Sequence, residues 1–413
     1  MHLSRAVRDQ PLTWALIAGV FLFINAPSVK IFTVQGPYIN VLAFGLIGGV
    51  FTLRLTRGSY ELTDRQGIAA GMIGVAFVLI VVPEYLGIRT GTTASIDNVV
   101  SLLLILGTTL ALLGVTRRSE IRLYLAFQVV WAAFVSATLL LGVADPRGHD
   151  VYHYNTVSVP IALGLCVVIG YLVHPTVTLA RWQRFGLIGA PAIGLPALVS
   201  QHGRSAYVGL FGATVLAVIL ISLTRSRELA VRTLVRATAA LGIGIGALLV
   251  LIRLGFVSRL FVDRMTSLFT DITSLGRFEL YATTVERILS TPLGHGLGAF
   301  DQISVHSYPH NLFLHAAFAG GVIAGVLFFA GVSILVVEYL YAFFETPTAP
   351  VLALGLISAY LLFTFSISYS ITHTYMVFTA LAMAAGLSSK GRILDLRPLT
   401  DRLYHLGLPG TKQ

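Results

Sequence analysis

Three stretches of the 413-residue chain hold side chains able to do chemistry. In QHGRSAYVGLF, His202 and Arg204 stand directly before an apolar run; in GRFELY, Arg277 opens a short amphipathic segment; in SYPHNLFLH, His306, His310, Asn311 and His315 lead into another apolar run. An arginine is a permanent, planar, bidentate cation, suited to gripping a phosphate or the negative charge that develops on a leaving group. A histidine changes charge near neutral pH, so it can take a proton from a hydroxyl or organise hydrogen bonds around one. Plainer roles stay open on the residues alone. A rim arginine can reach lipid phosphate, a rim histidine can bond a neighbouring carbonyl, and Tyr281 and Phe278 can be packing rather than stacking on a ligand. No metal is expected, because His306, His310 and His315 are interrupted by Pro309 and lack a carboxylate or cysteine partner at ligand spacing. Gly294, Gly296 and Gly298 follow no strand and complete no GxGxxG, so they read as a tight turn and not as a nucleotide fold.

Helices in a bilayer must position these groups. The chain is 56% hydrophobic and 11% charged, with a mean hydropathy of +0.83, whereas a water-facing domain carries about 25% charged residues. The expected fold class is all-α, a polytopic transmembrane bundle forming a single integral membrane domain over 1–413. At about 20 residues per span, twelve spans are expected, over 11–29, 38–55, 67–88, 98–116, 121–143, 156–174, 185–200, 205–223, 237–255, 311–337, 349–369 and 372–388. The seventh should be broken at Pro191 and Pro196. With both termini cytoplasmic, nineteen of the 28 Lys and Arg fall on the inner side, as topology bias requires. The net charge of +10 is then largely a topology signal and not a nucleic-acid footprint. Cys166 is the sole cysteine, so no intramolecular disulfide forms. The apolar run Leu12–Val29 is too long for a signal-peptide core and reads as a retained first helix.

One outward segment leaves the bilayer for long, from about 256 to 310, and loops of that length are commonly functional. Within it, Phe278, Tyr281, Val285 and Ile288/Leu289 recur at helical spacing, which predicts an amphipathic helix lying against the mouth of the bundle with these residues on its apolar face.

Taken in order, GRSAYVGLF, GRFELYATTVERILSTPLGHGLGAF and PHNLFLHAAFAGGVIAG resemble the O-antigen ligase and O-antigen polymerase family of membrane glycosyltransferases. In that family an Arg precedes a bundle helix, a second Arg opens the helix of a long outward loop, a Pro-Leu-x-Gly-x-Gly turn follows, and a His-Asn pair leads into a Gly-rich helix. The pattern falls on Arg204, Arg277, Pro292 to Gly298, and His310-Asn311 with Gly321. Ala319 stands where an acidic residue is often found, and Ala324 where a second glycine is common, with Gly325 beside it.

The resemblance implies a polyprenyl-(di)phosphate-linked glycan donor and an acceptor hydroxyl on a glycan, lipid or protein. It also implies inversion at the sugar carbon, with neither metal nor other cofactor, in the inner or plasma membrane and at its extracytoplasmic face. Arg204 and Arg277 would clamp the phosphate and His310 would act as base or organiser. Asn311, His202, Tyr281 and His306 would contact substrate. Within the family, ligation of a finished glycan and polymerisation of repeat units share this chemistry, and the competing class outside it is a transporter or lipid flippase. Against it, the expected spans hold almost no carboxylates, Glu338 lying at an inner end.

Overall fold

The structure is a computed structural model. It describes residues 2–32, 36–86, 96–143, 154–174, 181–201, 204–224, 227–253, 277–302, 308–367 and 370–388, with a few single positions between 255 and 266. The helices are α1 (His2–Phe32), α2 (Gly36–Thr56), α3 (Asp64–Tyr85), α4 (Ile96–Val115), α5 (Arg118–Leu140), α6 (Tyr154–Val173) and α7 (Arg181–Ser200). They continue with α8 (Arg204–Thr224), α9 (Arg227–Arg253), α10 (Arg277–Ser290), α11 (Leu312–Glu345), α12 (Ala349–Ser366) and α13 (Tyr375–Ala385). Two 3₁₀ turns, Ala299–Gln302 and Ile371–His373, complete the described elements.

Each of the twelve apolar runs is a helix, because a bilayer offers no water to backbone polar groups and a helix satisfies them internally. Among the described residues, nine helices are long and apolar enough to cross a membrane. The expected seventh and twelfth spans are shorter apolar helices, Phe185–Ser200 and Tyr375–Ala385. The ninth, α9, carries Arg227, Arg232 and Arg236 on its first turns. Contrary to expectation, α7 runs unbroken through Pro191 and Pro196. Each proline removes only one donor from the ladder, and the flanking turns keep theirs.

The interior is made by close approach of small residues. A Cβ at Gly331 of α11 would lie 2.7 Å from Ile73 and 2.9 Å from the Ala69 carbonyl of α3, and one at Gly170 of α6 would lie 2.7 Å from Cα of Ala353 in α12. Such contacts replace the hydrophobic drive that lipid does not supply between helices. Polar side chains add specific joints. Asn25 Nδ2 donates to Gln128 Oε1 (2.9 Å), Gln128 Nε2 donates to the Pro160 carbonyl (3.3 Å), and Trp131 Nε1 donates to Ser28 (3.0 Å), tying α1, α5 and α6 together. Val41, Ile68, Val78, Leu103, Val130, Ile323 and Val326 are exposed, as expected where the surrounding medium is lipid tails.

The two ends of the bundle differ. At one end Arg54 pairs with Glu120, both buried, and Glu120 also accepts the Arg117 amide (2.8 Å). Arg65 reaches Glu338 at 3.3 Å and lies over the Tyr341 ring, while Thr63 and Gln66 form a reciprocal cap on α3. Glu120→Ala leaves the Arg54 guanidinium without its carboxylate, so it should cost about 3–5 kcal/mol. A detergent-solubilised Glu120→Ala protein melting at the wild-type temperature would refute this. The opposite end gathers the C-termini of α3 and α12 and the N-termini of α8, α11 and α13. There lie Tyr281, His310 and Asn311 and the helix starts at 204 and 277.

Candidate active site

Helix α10 lies against the first turns of α11. Its buried side is Thr284 and Ile288, with Leu280 and Tyr281 half-buried. Ile288 packs on Ala299, Phe300 and Phe318. Phe278 (62% exposed), Val285 and Leu289 face away from the protein. The predicted apolar face is therefore corrected: Tyr281 and Ile288 meet the bundle, and the other three do not. A helix at a membrane rim has apolar surroundings on more than one side, so hydrophobic spacing does not say which side the protein covers.

A turn and a helix break build the floor of the site. Helix α11 departs from helical geometry at Gly321, with φ 87° and ψ 174°. The segment after α10 docks its backbone into that gap: His295 N–H donates to Phe318 O (2.8 Å), Gly296 N–H to Ala319 O (3.0 Å), and Val322 N–H to Pro292 O (3.0 Å). The carbonyls and amide freed by the break are thus used by the turn. A Cβ at Gly294 would sit 2.4 Å from the Gly321 nitrogen, and one at Gly321 would sit 2.3 Å from the Pro292 oxygen. Both glycines have positive φ, so spacing and backbone conformation each demand them. The His295 ring stacks on Phe318 at 4.6 Å. Below the turn, the buried Glu84 carboxylate at the end of α3 accepts the Leu297 amide at 2.5 Å.

His310 stands where this floor meets the start of α11. Among the described residues it alone, other than glycine, has positive φ, at 50°. That conformation costs an L-residue about 1–2 kcal/mol and persists because its surroundings hold it. Tyr281 of α10 donates its hydroxyl to the His310 carbonyl (3.3 Å), and the Tyr308 ring lies 4.6 Å from the His310 ring. The next residue, Asn311, caps α11: its Oδ1 accepts the amides of Phe313 and Leu314, both at 3.0 Å. His315, one turn further, is buried, and its Nδ1 accepts the Ile371 amide at 3.2 Å.

The expected site residues fall as follows. Tyr281, His310 and Asn311 are brought together, Tyr281 as a backbone clamp and Asn311 as a helix cap. Arg277 begins α10 one turn before Tyr281, and Arg204 begins α8. Gly209 of α8 lies against Tyr360 and Thr364 in the last turns of α12, which puts the start of α8 at the same end of the bundle. The Arg204 and Arg277 side chains, and His202 and His306 entirely, lie outside the described residues, as does the chain beyond 388. Glu84 was missed. The signal was there, since a carboxylate inside an apolar run is costly and marks a position with a task. Ser370 and Ile371, the partners of His315, carry no motif of their own.

These features define a polytopic, all-helical membrane protein with a polar site at one rim. Over residues 190–329 the chain matches the family model described as O-antigen ligase, so the family resemblance carried by the three motifs is shown for this stretch. The match begins within α7 and ends within α11, and it includes α10, the docked turn, His310 and Gly321. No curated protein shows a significant match to the chain.

Proposed function

We propose that the protein transfers a glycan from a polyprenyl-(di)phosphate carrier to an acceptor hydroxyl, as a ligase, at the extracytoplasmic face of the membrane. The acceptor oxygen attacks the anomeric carbon and its proton passes to His310. The bond from that carbon to the carrier phosphate breaks with inversion, and the negative charge released on the phosphate is held by Arg204 and Arg277. In this reading the segment 256–310 belongs to the active site, within a single membrane domain with both termini cytoplasmic. The distribution of Lys and Arg supports that orientation.

The observation that carries the reading is the clamp on His310. A strained backbone is held by a tyrosine from the very helix that Arg277 opens. Strain maintained in this way is characteristic of residues aimed at a substrate. The test uses the purified full-length protein in liposomes with a polyprenyl-diphosphate-linked oligosaccharide and no nucleotide sugar. Covalent transfer or lengthening of the glycan is expected. Movement of the lipid between leaflets without any new glycosidic bond would replace the enzyme with a flippase.

A further inference from the structure

The 3₁₀ turn Ile371–His373 lies outside residues 190–329 and far in sequence from the loop, yet it is joined to the start of α11. The Ile371 amide donates to Nδ1 of His315 (3.2 Å), and Ser370 Oγ lies 3.3 Å from the same nitrogen. Ser370 Oγ and Thr372 Oγ1 are 3.0 Å apart, and Thr372 Oγ1 is 3.3 Å from Nδ1 of His373, so a chain of polar groups runs from the rim to the buried ring. Because Nδ1 of His315 accepts an amide proton, the neutral ring carries its own proton on Nε2.

Tyr308 stands between the two histidines. Its ring is nearly parallel to that of His315 (16°, 6.3 Å) and is tilted against that of His310 (55°, 4.6 Å). A buried acceptor nitrogen needs a donor; here that donor comes from a distant turn, and the same ring shares an aromatic neighbour with His310.

From this juxtaposition we propose that His315 is a positioning residue for His310. The connection between α12 and α13 fixes the His315 ring, and His315 and Tyr308 together fix the imidazole of His310. The proton-handling group is thereby aimed by a segment that contributes no motif. This rests on the role given to His310 above.

The test compares variants of the full-length protein in liposomes, with a polyprenyl-diphosphate-linked oligosaccharide as donor and an acceptor that the wild-type protein uses. Activity is expressed per folded molecule, taken from thermal melting and size-exclusion profiles. His315→Ala should lower kcat on the order of 10- to 100-fold, the usual loss when a reacting group is misplaced by about 1 Å, while KM for the donor stays within about twofold. His315→Asn should recover most of kcat, because its Oδ1 can take the place of Nδ1 as acceptor for the Ile371 amide. His315→Leu should not. Ser370→Ala, which leaves α11 intact, should lower kcat by a smaller factor of about 3 to 10, with unchanged melting, and it decides the matter if His315→Ala does not fold. Wild-type kcat in Ser370→Ala, equal activity in His315→Asn and His315→Leu, or a rise in donor KM that accounts for the whole loss would each overturn the inference. A wild-type protein that transfers nothing would instead overturn the proposed function itself.

Discussion

His310→Ala should lower glycan transfer on the order of 10²- to 10⁴-fold, the contribution of a well-placed acid–base group, while the protein still inserts and folds. The expectation of an intact fold has a structural reason. The hydrogen bonds that hold this segment go through the His310 carbonyl and the Asn311 side chain, and alanine keeps both, losing only the ring contact with Tyr308. Arg277→Ala should lose on the order of 10² to 10³, the usual effect of removing one group that stabilises developing charge. Arg277→Lys should be impaired as well, because an ammonium cannot reproduce the two parallel hydrogen bonds of a guanidinium. The measurement is glycan transfer from the carrier lipid in membranes with matched protein levels. Near-wild-type rates in both alanine variants would remove the site assignment, whatever the protein's activity.

Gly321→Ala should be nearly as damaging to transfer, by another route. The backbone at this position has φ 87° and ψ 174°, a region that costs a residue with a side chain about 1–3 kcal/mol. A methyl group would also meet the Pro292 oxygen at 2.3 Å and the Leu293 carbonyl carbon at 2.7 Å. Both are backbone atoms and cannot rotate away. Helix α11 would relieve the clash by expelling the turn, and the three backbone hydrogen bonds that dock residues 292–296 would go with it. Expected are a fall in transfer on the order of 100-fold, a lower melting temperature, and protease sensitivity between α10 and α11. Gly45→Ala is the control, since nothing lies within 4 Å of a Cβ there. A Gly321→Ala protein as active as that control would mean that the docked turn has no part in shaping the site.

The same turn shows how far a sequence can be read. Alternate glycines after a short amphipathic helix announce a tight turn, and Gly321 sits in a run of small residues. Neither signal says that the glycines meet. Their partnership depends on two backbones approaching until no Cβ fits between them, across a gap of 27 positions from Gly294 to Gly321. Glu84 and Leu297 are further apart, separated by 213 positions, and no spacing rule links them. For α10, periodicity located the helix and misplaced its buried face, because at a membrane rim apolar side chains are stable against protein and lipid alike.

By itself the sequence determined that this is a membrane bundle, where its helices run, and which arginines and histidines stand at their ends. The reason is that hydrophobic runs and chain-local capping act over a few turns, and the bilayer forces each run to satisfy its own backbone. Only the tertiary structure decided that Tyr281 holds the His310 carbonyl, that Glu84 receives the Leu297 amide, and that the Ile371 amide meets Nδ1 of His315. Those contacts join residues through packing between helices, and packing depends on the shapes of whole surfaces that no local pattern of residues encodes.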